Sequence, residues 1–317
     1  AYESCACLVG SELCIRDSAE ILPYEKVLEY DFWKTDEILR AVLPEDLLHD
    51  IPTGFTVTGH IAHLNLREEF KPYDTFIGQV ILDKNGRIET VVDKVSSIAT
   101  KFRTFPMKVI AGRDDSLVVE QRESDCIFKF DFSKVYWNSR LHTEHDRLVS
   151  QFFQPGQIVC DVFAGVGPFA IPAGKKKVLV LANDLNPDSF KYLQENIQLN
   201  KVAHTVKPFE MDGAQFIRES QRLVEQWSKS DGGKILIPLN NNNRRKRQKK
   251  DDQKTLEPPA QHEREIPIPQ EINHYVMNLP DSAITFLHHF RGLLKGTNIK
   301  NMPWIHVHCF EKHSNDE

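Results

Sequence analysis

The chain has 317 residues, 40% of them hydrophobic, which is enough for two domains with cores of their own. No apolar run approaches the length of a membrane span, and no basic stretch followed by an apolar one opens the sequence, so neither a spanning helix nor a secretory signal is expected. The formal charge of −5 is unevenly placed: residues 1–50 hold twelve acidic and four basic side chains, which leaves +3 for the remainder and room for a local basic face.

In chain order, residues 1–52 read as a helical segment. Tyr24 to Val42 is rich in helix formers, and Pro44 and Pro52 close it. Phe55 to Leu64 reads as a strand, Tyr73 to Leu82 as a helix and Asn85-Gly86 as a turn. Ile88–Val95, Met107–Ala111, Leu117–Gln121 and Ile127–Phe132 read as short strands, so residues 53–132 are expected to form a small α+β accessory domain. From Gln157 the rhythm becomes strand, glycine turn, helix, strand. Strands are expected at Ile158–Phe163, Val178–Asn183, Thr205–Phe209, His274–Met277 and Trp304–Phe310, with Pro168 in the first turn of one helix and Pro187–Leu199 as another. Residues 133–317 are therefore expected to be an α/β domain with a doubly wound, mostly parallel sheet.

The stretch 228–270 breaks that rhythm and reads as a disordered insertion. It carries Asn240–Asn243 and the basic run from Arg244 to Lys250. That run reads first as a solvated loop, with a nuclear address or an RNA-touching arm as alternatives. The six cysteines form no CxxC pair, and Cys5, Cys7 and Cys14 fit no zinc spacing, so no metal is expected. Free thiols follow, with Cys160 and Cys309 as buried strand residues.

The turn Asp161-Val-Phe-Ala-Gly165-Val-Gly167-Pro-Phe ends one strand and opens a helix, where backbone amides can meet a ligand. Gly165-x-Gly167-x-x-Ala170 also satisfies a dinucleotide fingerprint. An acid four positions before the first glycine fits the ammonium of a methionine moiety better than a pyrophosphate. Asp184 ends the next strand, where a carboxylate accepts ribose hydroxyls. Asp212-Gly213 follows the third strand, where an adenine amino group would be received. Asn278-Leu279-Pro280 ends the fourth, where a side-chain amide can reach a base edge or the cofactor. Each has a bland alternative: Asp184 as a helix cap, Asp212 as a turn residue, Asn278 and Pro280 as strand terminators.

These motifs, with Tyr136-Trp-Asn-Ser-Arg140-Leu-His-Thr-Glu144-His145, Gly59-His-Ile-Ala-His-Leu, Phe102-Arg103-Thr and His306-Val-His-Cys-Phe, resemble the archaeal and eukaryotic tRNA (guanine-N1)-methyltransferases. That family acts on the purine just 3′ of the anticodon, and the likeness is to its fungal-type branch over roughly residues 24–311. The resemblance implies a Rossmann-like methyltransferase sheet, S-adenosyl-L-methionine as cofactor and tRNA as substrate. It implies Glu144 as general base, Arg140 on the guanine oxygen and Tyr136 in support. Asn278 would lie beside the target base. His145, Asp184, Leu185, Asp212, Gly213 and Asn278 would contact the cofactor, with Asp161, Gly165 and Gly167 forming its turn. Arg103 would contact RNA. A monomer is expected, in the cytoplasm, with nucleus and mitochondrial matrix as alternatives. Against the family pattern, the chain reads as cut short at both ends, lacking the closing carboxyl-terminal strands. Three other readings stay open: a wyosine aminocarboxypropyl transferase, an NAD-dependent oxidoreductase and a catalytically silent RNA-binding protein.

Overall fold

The computed structural model describes residues 25–95, 104–238, 263–297, 299 and 301–310. Tyr24 to Val42 is not one helix. A 3-10 turn at Tyr30–Phe32 is followed by extended backbone at Trp33 and Lys34, and α1 runs only from Thr35 to Val42. The break is local chemistry, because the Glu37 carboxylate reaches back 2.8 Å to the Lys34 N–H and starts the helix there. Leu39 and Leu43 then enter the same core as Ile77, Ile81 and Val91, so this segment packs into the small domain and does not stand apart from it.

The small domain holds β1 (Thr56–Thr58), β2 (Ile61–Leu64), α2 (Asp74–Lys84), β3 (Thr90–Lys94) and β4 (Met107–Gly112), with strand order β1-β2-β3-β4. The expected strand Phe55–Leu64 is folded on itself. Gly59 takes φ +57° and lets Thr58 pair with Ile61 across a tight reversal. β2 and β3 run parallel through the α2 crossover, and β4 returns antiparallel.

The hairpin β5 (Val118–Glu123) and β6 (Cys126–Asp131) turns through Ser124 and Asp125, both at positive φ. It does not extend the small sheet. Its backbone is held by the helix Pro187–Leu199 of the second domain and its C-cap: Asn196 accepts from the Lys129 N–H at 2.8 Å, and Asn200 both accepts from and donates to Ile127. The expected boundary at residue 132 thus moves back to the segment between Gly112 and Val118.

The second domain runs through α3 (His142–Gln151), β7 (Ile158–Asp161), α4 (Ala170–Lys175), β8 (Leu179–Asn183), α5 (Pro187–Leu199), β9 (Val206–Phe209), α6 (Gly213–Ser230), β10 (Lys234–Pro238), β11 (Glu263–Pro267), β12 (His274–Asn278) and β13 (Trp304–His308). Its five-stranded sheet has the order β13-β12-β7-β8-β9, all parallel. β7 and β8 are buried along their whole length, as helix-covered parallel strands must be. The winding reverses between β7 and β12, and the strand ends open a crevice there.

Residues 228–270 differ from the expectation of disorder. α6 continues to Ser230, and β10 pairs antiparallel with β11. Ile235, Ile237, Ile266 and Ile268 join the core formed by Phe216, Trp227 and Tyr275. The polar composition of residues 240–262 masked two flanking isoleucine alternations of period two. The basic run Arg244–Lys250 lies outside the described residues, as do Cys5, Cys7 and Cys14. Cys160 is buried, as expected, and burial pushes its thiol pKa up. Cys309 is exposed, because β13 ends one residue earlier.

Asn196 is fully buried and bridges the two halves of this domain, accepting from Lys129 in the hairpin and donating to the Val166 carbonyl at 3.1 Å. Asn196→Ala strands both backbone groups and should cost about 2–4 kcal/mol. A lower urea midpoint at unchanged slope is the expected result, and an unaltered midpoint would show that the hairpin is not anchored this way.

Candidate active site

At the switch point lies a cleft of about 280 Å³, walled by Phe163, Gly165, Asp184, Asp212, Asn278 and Phe286 among others. Its floor is the turn after β7. Gly165 sits at φ +54° and Gly167 at +99°. A Cβ on Gly167 would stand 2.7 Å from Ile171 and 2.9 Å from Leu193, so α4 and α5 close on that residue, whereas a Cβ on Gly165 would meet nothing within 4 Å. The second glycine is demanded by packing. The first is demanded by backbone conformation and leaves its face open.

Asp184 ties this turn to the end of β8. One carboxylate oxygen accepts from the Gly165 N–H at 2.7 Å, and the other from the Asn186 N–H at 2.9 Å. Burial raises its pKa, and the backbone donors oppose the rise. The helix-cap alternative belongs to Asn186, whose side chain accepts from Asp188 at the start of α5. Asp212 does cap a helix, accepting from Ala214 at 2.9 Å and Gln215 at 3.3 Å, and it lines the cleft as well. At Gly213 a Cβ would stand 2.7 Å from the Phe163 ring, so glycine lets α6 start against that wall.

Leu185, Asn278 and Tyr136 also line the cleft, Tyr136 from the loop before α3. Asp161 does not. It is fully buried behind the turn, and neither carboxylate oxygen has a hydrogen-bond partner among the described residues. Burial, then the charge of Asp184, pushes its pKa up to about 8.

Arg140 and Glu144 are not brought together as a pair. Arg140 is exposed on the 3-10 turn Ser139–Leu141, and its N–H bonds Asn138. Glu144 sits in the first turn of α3, forked by Arg147 at 2.6 and 2.8 Å and met by His308 Nε2 at 3.0 Å. Arg147's hydrogen bonds, with a smaller contribution from His308, hold the Glu144 carboxyl down at about 2. His145, expected at the cofactor, faces elsewhere: it is buried, with Nδ1 2.6 Å from Glu123 and its ring edge-on to Phe169. Arg103 lies outside the described residues.

Three features escaped the sequence reading. Arg147 and His308 bracket Glu144, and the 3-10 segment Ala283–Phe290 supplies Phe286, edge-on to Phe163 at 5.0 Å. The alternation His306-x-His308 on an edge strand was the available signal for the second. His306 also stacks on buried His274, with ring nitrogens 3.1 Å apart.

Residues 119–227 match the model of the TRM5/TYW2 methyltransferase domain, and residues 35–115 that of the TYW2 N-terminal domain. The tRNA (guanine(37)-N(1))-methyltransferase of Saccharomyces cerevisiae is 70% identical over 94% of this chain. That of Candida albicans strain WO-1 is 53% identical over 97% of this chain and 69% of its own length. The crystal structure of Trm5b from Pyrococcus abyssi is 31% identical over 79% of this chain and 59% of its own, with TM-score 0.56. A complex of aTrm5 with tRNALeu, 22% identical over 85% of this chain and 64% of its own with TM-score 0.59, shares the fold. The chain spans 60% of the length of the Saccharomyces relative.

The histidine stack carries a pH signature. Burial, then the neighbouring His306, lowers the His274 pKa from 6.5 to about 4. The unfolded chain therefore binds the proton first, so this contribution to stability is intact above pH 6.5 and is lost as pH falls towards 4. The loss should be on the order of 1–2 kcal/mol after allowance for solvent screening. Urea midpoints across that window should fall in the wild type and flatten in His274→Gln; parallel curves would remove His274 as the source.

Proposed function

The chain belongs to the tRNA (guanine(37)-N(1))-methyltransferase family, and from that premise we propose that it transfers a methyl group from S-adenosyl-L-methionine to N1 of guanine 37 in tRNA. The observation that carries the reading is the cleft at the switch point, where Gly165, Asp184, Asp212 and Asn278 converge from four successive strand ends. The fit to the cofactor rests on its donors and acceptors. Asp184 keeps lone pairs for ribose hydroxyls beyond its two backbone donors, Asp212 and Gly213 line the same cleft and are assigned to the adenine, and Phe163 and Phe286 offer apolar faces. Asp161, buried without partners just behind the glycine turn, is the acid nearest in kind to an ammonium site. When bound, the cofactor supplies an electrophilic methyl group on a sulfonium.

The chain's own task is to prepare guanine. N1 bears a proton and attacks only once that proton leaves. Glu144 takes it, and the guanidinium of Arg140 stabilises the charge left on the neighbouring oxygen. Tyr136 and Asn278 border the place of the base, and Arg103 is assigned to RNA contact. Because Glu144 stays ionised down to about pH 2, its own titration cannot limit the rate near neutrality. A rise of rate with pH there reports the acidity of guanine N1. The alternative transfer of the aminocarboxypropyl arm would leave methylthioadenosine, so release of S-adenosylhomocysteine together with N1-methylguanosine tests the reading directly.

Two substitutions divide binding from chemistry. Asp184→Ala should weaken S-adenosylmethionine binding by about 1.5–3 kcal/mol while leaving tRNA affinity nearly unchanged. Calorimetry showing normal cofactor affinity would take Asp184 out of the site. Glu144→Gln keeps shape but cannot accept the proton. Its single-turnover methyl transfer should fall roughly 10²–10⁴-fold with both affinities preserved. A near-normal rate would leave Glu144 as no more than the surface partner of Arg147.

A further inference from the structure

Glu144 has two anchors of different character. Arg147 lies one helical turn along the same helix, its side chain 45% exposed, and such pairs are loosely held. His308 stands at the end of β13, in register with Asn278, its ring set against Phe169 at 5.7 Å and its side chain 19% exposed. Their bonds also divide the carboxylate unequally. Oε1 is shared by Arg147 Nη2 and His308 Nε2, whereas Oε2 is held by Arg147 Nε alone. If Arg147 swings away, Oε2 is freed and Oε1 stays bound to the sheet.

We propose that His308 is a positioning residue for the base: its Nε2–H keeps Oε1 of Glu144 fixed while Arg147 yields Oε2 to the guanine N1 proton. This rests on Glu144 acting as the base. An ionised carboxylate only accepts, so the Nε2 that meets Glu144 carries a proton. Nδ1 is buried and has no partner among the described residues, consistent with a lone pair there. The titratable and charged neighbours are Glu144 and Arg147 from α3 and His306 on the same strand, with His274 of β12 behind His306. No second carboxylate among them competes for the imidazole.

The test exploits two substitutions that part ways. His308→Phe keeps the ring against Phe169 and removes the donor. His308→Gln loses the ring and keeps an N–H near the Nε2 position. Positioning predicts that His308→Phe lowers the single-turnover methyl-transfer rate roughly 10- to 100-fold, the range of a hydrogen bond to a charged group, with unchanged affinities for tRNA and S-adenosylmethionine. His308→Gln should restore most of that rate. A purely structural role predicts the reverse order and would overturn the proposal. In a Glu144→Gln background His308→Phe should add less than about threefold, because the two act as one unit; additive losses would also overturn it. Imidazole ¹⁵N spectra of the full chain read the contact without turnover. An Nε2–H tautomer of His308 that is lost in Glu144→Ala supports it, and an Nδ1–H tautomer overturns it. Should the wild type make no N1-methylguanosine, the functional reading fails while these spectra still judge the contact.

Discussion

The hydrogen bond from the Gly165 N–H to Asp184 joins the ends of two adjacent parallel strands at the floor of the cleft. Parallel strands all end on the same side, so each contributes a loop there, but nothing in a sheet makes those loops converge. Asp184 supplies the convergence. It takes a backbone donor from the β7 turn and another from the start of α5, and so fixes the angle at which the glycine turn leaves the sheet. Gly167 allows α4 and α5 to close behind that turn, and Gly213 allows α6 to start against Phe163. Wall, floor and helix ends are thereby set by the Asp184 carboxylate and by the close approaches that Gly167 and Gly213 permit.

Glu144 poses an opposite problem. A carboxylate held at about 2 is always charged but is a weak proton acceptor, since base strength and pKa fall together. The largest cause of that depression is the Arg147 fork, on the exposed side of α3, while the buried contact is with His308. Removing the exposed partner would make the carboxylate more basic at the moment a substrate displaces it. The resting pair thus holds an ionised, oriented carboxylate whose base strength would rise if the Arg147 fork were released.

The parallel sheet was legible because burial on both faces writes continuous apolar runs, as at Ile158–Asp161 and Leu179–Asn183. The glycine turn and its neighbouring strand ends were legible because glycine at positive φ and acids at strand ends are local signals. What the sequence did not disclose was long range. Asn196 and Asn200 look like ordinary helix residues until the hairpin is seen lying on them, which is why the boundary was placed after β6. β10 and β11 are separated by a polar stretch that dominated the composition, and their pairing depends on register across that gap. His308 and Glu144 are 164 positions apart, and only the order of strands in the sheet brings β13 over α3.

Asp161 shows what the site costs the fold. Its pKa is raised above the unfolded value near 3.8 to about 8. The folded chain therefore holds the proton more tightly, and this residue's contribution to stability is present below pH 3.8 and declines as pH rises through 8. At neutral pH the burial of Asp161 is thus a net burden, which the Phe163 backbone N–H offsets only in part. Packing alone would favour leucine or valine at the end of a strand whose other residues are Ile158, Val159 and Cys160. An acid kept in such a place, one turn from an open glycine and beside half-buried Asp184, is an expense that folding does not explain, and a local rule broken without structural gain points to function.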